Sequence, residues 1–489
     1  MHQPGHRFLI TSVFTALLIG LCLPAVSAAE DIVIESDEPY GEEFVIESEG
    51  EGAEEILFQD DLSIETEDGE SPFVEDSGLI TDSVVEDDEE STAWRFSIDD
   101  VRLEYGHQLN DSSRADRDVY GMLGLSVNWQ PQPQWELQLS GRVDGYEQDG
   151  SDEWSDLHLD YGDSFVRYRG ENMRVTAGTQ TVVWGRMDEI PLSDRVSTHD
   201  LSRFMLDRLE DRRRANPMLR FETNVAEGKL DLVWLFDFRA PELPDPDSIW
   251  YPIDQFGGRI LGVDRKDIPP ALVRAATVVE DEPDGDGGFG LRYTSSPFFG
   301  DIGFTVAHTR RSMPYYRFVA PNTFKTVYPR SWAFGADTAV DAMGATWRAE
   351  VVYSSDNPVT HRDFSYSTTE AIEWGVGIEM HPGDGDTRIN LQLVGSNLID
   401  PGAIFDRTEA YSLNGEIEIP FDRERWRFSV NFLGGLDEKE LYLNPEIAYL
   451  GWEPNEIYLA LHYFDGDEQT LGGFHEDHST INLGWRAQF

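Results

Sequence analysis

The chain has 489 residues, a formal net charge of −55 and one cysteine. That acidity, without a basic domain or a recognition motif, excludes nucleic acid as a partner. The cysteine, Cys22, falls in a segment expected to be removed, so neither disulfides nor thiol chemistry is expected in the mature protein.

Residues 1–29 read as a secretory signal peptide. Arg7 precedes an apolar run from Phe8 to Leu23, and small residues follow from Pro24 to Ala29. Cleavage after Ala28 or after Ala29 fits equally well. Leu21 stands before Cys22 where a lipoprotein signal wants a small residue, so no lipid anchor is expected.

Residues 30–92 form an acidic leader. From Glu30 to Glu90 there are 26 Asp or Glu and no Lys or Arg. Like charges at that density repel, and too little apolar surface remains to offset the entropy of ordering, so the segment is expected to be disordered and periplasmic. Asp31–Ser36 is echoed by Glu43–Ser48 and then by Glu55–Phe58. Two readings stay open: a soluble spacer, or short β-prone clusters that add a strand to a periplasmic or inner-membrane transport partner.

From residue 93 onward no segment is apolar for long enough to cross a membrane as a helix. Alternation is the dominant signal instead. Trp135, Leu137, Leu139 and Val143 share a face opposite Glu136, Gln138, Ser140, Arg142 and Asp144. Leu230, Leu232, Trp234, Phe236 and Phe238 oppose Asp231, Asp237 and Arg239. The chain ends on Ile481, Leu483, Trp485, Ala487 and Phe489, alternating with polar residues. Trp485 and Phe489 resemble the terminal signal by which the barrel-assembly machinery inserts outer-membrane barrels. Charged residues lie opposite the apolar faces too often for a dry core, which favours a watered interior facing away from outer-membrane lipid.

Tight turns are expected at Gln130–Gln134, Gly170–Asn172, Ala226–Lys229, Pro297–Asp301, Ala342–Ala345, Pro382–Asp386, Phe421–Glu424 and Glu453–Asn455, with longer loops between them. The alternation predicts an all-β, transmembrane antiparallel β-barrel of about 18 strands over residues 93–489, with 16 as the alternative. Phase breaks near Ser97–Tyr105 and Leu157–Arg169 suggest bulges.

The polar face would carry Arg142, Arg174, Arg220, Arg239, Arg348 and Arg388 into the lumen, with Arg427, Arg486, Glu222 and Glu350 among others. Between a strand over Arg174–Trp184 and a returning strand from Met218 lies a polar insert. It holds Arg186, Arg195, Arg203, Arg208, Arg212, Arg213 and Arg214, interleaved with acids. An insert of this kind is where a pore places its constriction, and its arginines would favour an anionic or polyhydroxylated solute. Ser197 or Thr198 is expected to cap a short helix over Asp200–Asp211. That helix either folds inward or lies outside as a surface loop. The loop 240–287 is a candidate lid.

Gln180-Thr181-Val182-Val183-Trp184-Gly185-Arg186-Met187-Asp188, then Pro191-Leu192-Ser193-Asp194 and Thr198-His199-Asp200, resembles a signature of certain uncharacterised proteobacterial outer-membrane barrels. Ile190, Ser193 and His199 depart from it, standing where that signature has Asn, Thr and Arg. Its wider relatives are porin-like and alginate-export-type barrels, some linked to RND-type exporters of lipids or hydrophobic solutes. The resemblance implies a barrel of the Gram-negative outer membrane and names no substrate.

Asp284–Gly288 is a fragment of a calcium loop without its closing ligands, and the histidines show no zinc spacing. No nucleophile elbow is present. No cofactor, metal or enzymatic activity is expected. The reading is a porin-like channel for passage or export of a solute. Its alternative is a plugged barrel acting as a scaffold in an export complex, docking a partner through the acidic leader.

Overall fold

The computed structural model describes residues 93–489, save positions 112, 189 and 384. The signal peptide and the acidic leader lie outside the described residues.

Alternating sequence becomes a closed antiparallel sheet. Its strands are β1 Trp94–Gln108, β2 Ala115–Gln132, β3 Trp135–Gly150, β4 in two pieces (Trp154–Tyr161 and Ser164–Gly170), β5 Met173–Gln180, β6 Asn216–Val225, β7 Gly228–Leu235, β8 Gly288–Ser295 and β9 Asp301–Arg310. They continue as β10 Arg330–Ala342, β11 Ala345–Thr360, β12 Tyr366–Met380, β13 Arg388–Ile399, β14 Glu409–Phe421, β15 Trp426–Gly435, β16 Glu440–Trp452, β17 Asn455–Gly466 and β18 Thr480–Gln488. Each strand pairs with its neighbours in the chain, and β1 pairs with β18, so eighteen strands close on themselves. Closure removes the open edges that a membrane would not tolerate.

The expected turns join strands at one end of the barrel, and the longer loops gather at the other. Both phase breaks are real irregularities. The β1–β2 register shifts between Ile98 and Val101, and β4 is interrupted where Gly162 and Asp163 leave the ladder.

Outward side chains form an apolar belt, with Leu139, Trp234, Phe304, Val351, Leu459 and Leu483 exposed. Aromatic contacts mark its two rims. Trp94 stacks on Trp129 at 4.7 Å and Trp426 meets Tyr449 at 5.0 Å at the short-turn end. Trp332 meets His308 at 4.6 Å and Phe289 at 5.8 Å at the long-loop end. An apolar belt between aromatic girdles is the outer surface of a transmembrane barrel.

Three local expectations are corrected. The strand expected over Arg174–Trp184 stops at Gln180, because the Asp163 carboxylate takes the Thr181 N–H at 2.7 Å and pulls the chain off the ladder. Its return begins at Asn216 rather than Met218. The strand expected to run through Phe238 ends at Leu235; Phe238 packs on Tyr328 at 5.0 Å and Asp237 is exposed. Trp485 and Phe489 sit at the closing seam, where Trp485 donates to Asn455 at 3.0 Å and the Phe489 N–H to the Asp99 carbonyl at 3.0 Å.

The loop 236–287 covers ground at the long-loop end. It includes a short helix, Pro270–Arg274, and a strand, Thr277–Val279, parallel to Thr323–Val327. Its Ile249 and Trp250 are buried with Leu206 of the insert, Tyr442 and Phe464.

Candidate functional site: an insert across the lumen

Residues 181–215 leave β5 and turn into the barrel. The turn is prepared by residue choice on both sides. Trp184 is almost fully buried, packs with Val182, Val196, Met218, Val233 and Leu235, and donates its indole N–H to Asp231 at 3.1 Å. Gly290 on β8 faces it. A Cβ there would lie 2.6 Å from the indole ring, so only glycine leaves room. The next residue, Gly185, has φ +133°, outside the range that side-chain-bearing residues favour.

Beyond Gly185 the backbone is held by one carboxylate. Glu350 on β11 accepts the N–H groups of Arg186, of Met187 at 2.8 Å and of Ser193 at 3.0 Å. Arg186 reaches Asp337 on β10 at 2.8 Å and Asp301 on β9 at 3.3 Å. Asp188 accepts from Arg348 on β11 and from Asn390 on β13, both at 2.7 Å. Met187 and Leu192 pack with Ala307, Ala333, Val352 and Val394. Arg195 pairs with Glu373 on β12.

The chain then recrosses. Thr198 and His199 pair with Arg213 and Arg214 in a two-residue ladder. Asp200 pairs with Arg142 on β3. Arg203 pairs with Glu104 on β1 and with Asp207 at 2.6 Å, and stacks on Tyr120 at 4.0 Å. Arg208 reaches Glu446 on β16 at 3.2 Å, and Arg214 reaches Asp160 on β4 at 3.0 Å. Strands β1 and β10 lie on nearly opposite sides of the ring, so a segment tied to both runs through the interior. Of the two open placements, the inward one is found.

The expected helix over Asp200–Asp211 is absent. Residues 202–207 form turns, and only a single 3-10 turn, Glu210–Arg212, follows. Asp200 explains part of this, because its side chain takes the Ser202 N–H at 3.0 Å and so favours a local turn. Phe204, Met205 and Leu206 still pack together, against Trp250, Tyr442 and Phe464.

The arginines do not present free charge. All the insert arginines except Arg212 meet a carboxylate, Arg213 through Asp194 at 2.7 Å. Arg212 binds the carbonyls of Met205 and Asp207. The expected local excess of positive charge is thereby cancelled. The lumen arginines behave alike. Arg174 and Arg220 lie 3.5 and 3.3 Å from Glu222, Arg348 lies 2.9 Å from Glu379, and Arg388 lies 2.8 Å from Glu416. Arg239 is corrected in place: it lies beyond β7, buried against Asp160 and the Ala215 carbonyl, with its guanidinium 3.9 Å from the Tyr161 ring.

Within the insert, burial and then the adjacent Arg213 push the His199 imidazole down to about 4. Burial raises Asp188 and Asp211. Burial also acts to raise Asp207, but Arg203 and Arg102 outweigh it and hold its carboxyl below the ordinary range.

Two cavities flank the insert. One of about 260 Å³ faces the long-loop end, with Arg310, Arg311 and Met313 in its lining. The other, about 430 Å³, extends to Arg427 and Arg486 near the short-turn end. Ile190 and Leu209 line both. Among the described residues no group of side chains has the makings of a metal site.

Several wall partners escaped the sequence reading: Arg102, Glu104, Asp337, Glu373 and Glu446. Arg102 and Glu104 follow the β1 bulge, which hides their phase. Asp337 and Glu373 each lie two residues from a small or apolar neighbour in the same phase, so no charged run marks them.

A search of curated proteins found no match. Among solved structures, the chain is similar to Salmonella typhi OmpF in complex with daunomycin, at 10% identity, 82% coverage of this chain, 99% of that one and a TM-score of 0.43. It is also similar to Pseudomonas aeruginosa OccK3 (10%, 82% and 97%, TM-score 0.47) and to Acinetobacter baumannii OccAB1 (8%, 81% and 96%, TM-score 0.46). The model of one protein family matches residues 104–452, most of the barrel and the whole insert. The chain therefore belongs to the DUF1302 family, described as a protein of unknown function.

Proposed function

We propose that the protein is an outer-membrane channel through which a solute passes, and that the insert carrying Arg186 to Arg214 is its constriction. The supporting observation is the pair of cavities meeting at Ile190 and Leu209, on either side of a segment fixed to the wall by ion pairs. A rigid, charge-matched insert narrows a polar lumen while leaving water-filled space above and below it. The solute touches the uncharged edge of the insert as well as its arginines. The test is planar-bilayer conductance of the purified protein and of a variant lacking residues 187–214. The reading predicts a small conductance that rises on deletion; silence from both removes it.

A second reading, a plugged scaffold, draws support from the same density of ion pairs between insert and wall. It predicts a stoichiometric periplasmic partner that co-purifies only when residues 30–92 are present.

A further inference from the structure

The matching of arginine by carboxylate stops in the 260 Å³ cavity at the long-loop end. Arg310 closes β9 and Arg311 follows it; both line this cavity. Among the described residues neither has a carboxylate within ion-pair distance. Arg310 donates to the Tyr328 carbonyl at 3.3 Å, and Arg311 to the Asn357 amide oxygen. The acids of the same lining are already engaged. Glu373 pairs with Arg195, Asp194 with Arg213, and Asp356 accepts from the hydroxyls of Ser355 and Thr368.

A second asymmetry points the same way. The buried side-chain atoms of this lining that lack a hydrogen-bond partner are all nitrogens: Nε of Arg195, Arg213 and Arg310, and Nδ1 of His199. The His199 tautomer follows from its neighbour. Nε2 lies 3.1 Å from Nη1 of Arg213, which can only donate, so Nε2 accepts and Nδ1 carries the proton. Among the described residues no buried side-chain oxygen of the lining is left partnerless. A cavity whose orphaned buried side-chain atoms are all nitrogens, and in which two arginines make no direct ion pair, suits a ligand that only accepts. Ile190, Leu192, Leu209 and Met313 give the wall its apolar part, beside the hydroxyl residues Thr309, Ser312, Ser331 and Ser354.

We propose that this cavity binds a small organic monocarboxylate, its carboxylate on Arg310 and Arg311 and its apolar body against Ile190, Leu192 and Leu209. As a solute class for the channel this rests on the reading above, whereas binding itself is testable apart from conduction. Guanidinium pairs bidentately with carboxylate and with phosphate alike, so the apolar side chains of the lining give the site its preference for an organic carboxylate over inorganic phosphate.

The experiment is calorimetric titration of the detergent-solubilised full chain with benzoate, with neutral benzamide and with inorganic phosphate. Saturable benzoate binding is expected, with benzamide weaker by about tenfold or more for the loss of one charge-assisted contact set, and phosphate weaker by about the same factor for want of an apolar body. The double variant R310M/R311M should lose benzoate binding by a similar factor, while R425Q, at an exposed short turn, should not. Heat-modifiable migration on gels establishes that each variant is folded. Equal affinity for benzamide, equal affinity for phosphate, or an unchanged R310M/R311M overturns the proposal. Arginine-dependent benzoate binding by a protein silent in bilayers upholds the site and removes the channel reading. A conducting protein that does not bind benzoate overturns the site alone.

Discussion

The carboxylate of Glu350 accepts the backbone N–H of Met187 at 2.8 Å, together with those of Arg186 and Ser193. One wall residue on β11 thus fixes both ends of the first loop of the insert. Hydrogen bonds to a charged acceptor are each worth about 1.5–3 kcal/mol when buried. Glu350→Gln keeps the shape but removes the charge and adds a donor. Residues 186–193 should then lose hydrogen-exchange protection by that order, with the strands β10–β12 unaffected. Unchanged protection would show that the insert is held elsewhere.

Trp184 and Gly290 form a pair in which one residue fills the space the other leaves. Gly290→Leu forces atoms into the indole, and overpacking of this kind costs about 1–3 kcal/mol. The Trp184 ring must move off Asp231. The expected readout is a near-ultraviolet dichroism change in the variant that disappears when Trp184→Phe is combined with it.

Arg203 is shared by Glu104 and Asp207, all deeply buried. Arg203→Met leaves Glu104 with one ion-pair partner, Arg102, beside the neutral donors Tyr458 and Asn482. Removing one partner of a buried pair typically costs about 3–5 kcal/mol. The barrel should unfold at lower temperature in heat-modifiability gels. Adding Glu104→Gln should restore part of the loss, because the uncompensated charge goes with it.

A buried histidine pair ties the loop before β18 to the loop 236–287. Nδ1 of His475 lies 3.1 Å from Nδ1 of His478, and the Trp250 ring meets His475 at a tilt and His478 edge-on. Burial, and then Arg259, push His478 down to about 4; burial and His478 itself lower His475 further. Asp477 and Asp254 oppose the shift at His478, and Arg114 adds to it. Both groups have folded values below the unfolded one near 6.5, so the unfolded loop binds more protons as pH falls. Stability contributed here is therefore complete above about 6.5 and declines as pH drops towards 4. Exchange protection of residues 471–479 should fall across that window, and His475→Phe/His478→Phe should flatten the dependence.

Strand number and turn positions were legible in the sequence because alternation and turn chemistry act locally. The bulge at Ile98–Val101 was visible as a broken phase, but the same break concealed Arg102 and Glu104. The inward course of the insert was not decidable locally, since it depends on pairs such as Arg186 with Asp337 that are separated by most of the barrel. The helix over Asp200–Asp211 failed because apolar spacing is blind to the Asp200 side chain capturing Ser202. The local excess of positive charge read from arginine number is cancelled for a related reason: charge counts do not reveal which carboxylates fold against the arginines. Several residues of the resemblance signature proved to be anchors, with Trp184, Arg186, Asp188, Asp194 and Asp200 each bound to a named partner.

The most direct test of the account is single-channel recording of the purified protein beside its Δ187–214 variant in a planar bilayer. The account predicts small steps for the intact protein and larger ones once the insert is gone, with the strand content of both unchanged by circular dichroism. Steps of equal size in both would contradict the insert as constriction, and the absence of steps from both would contradict the channel.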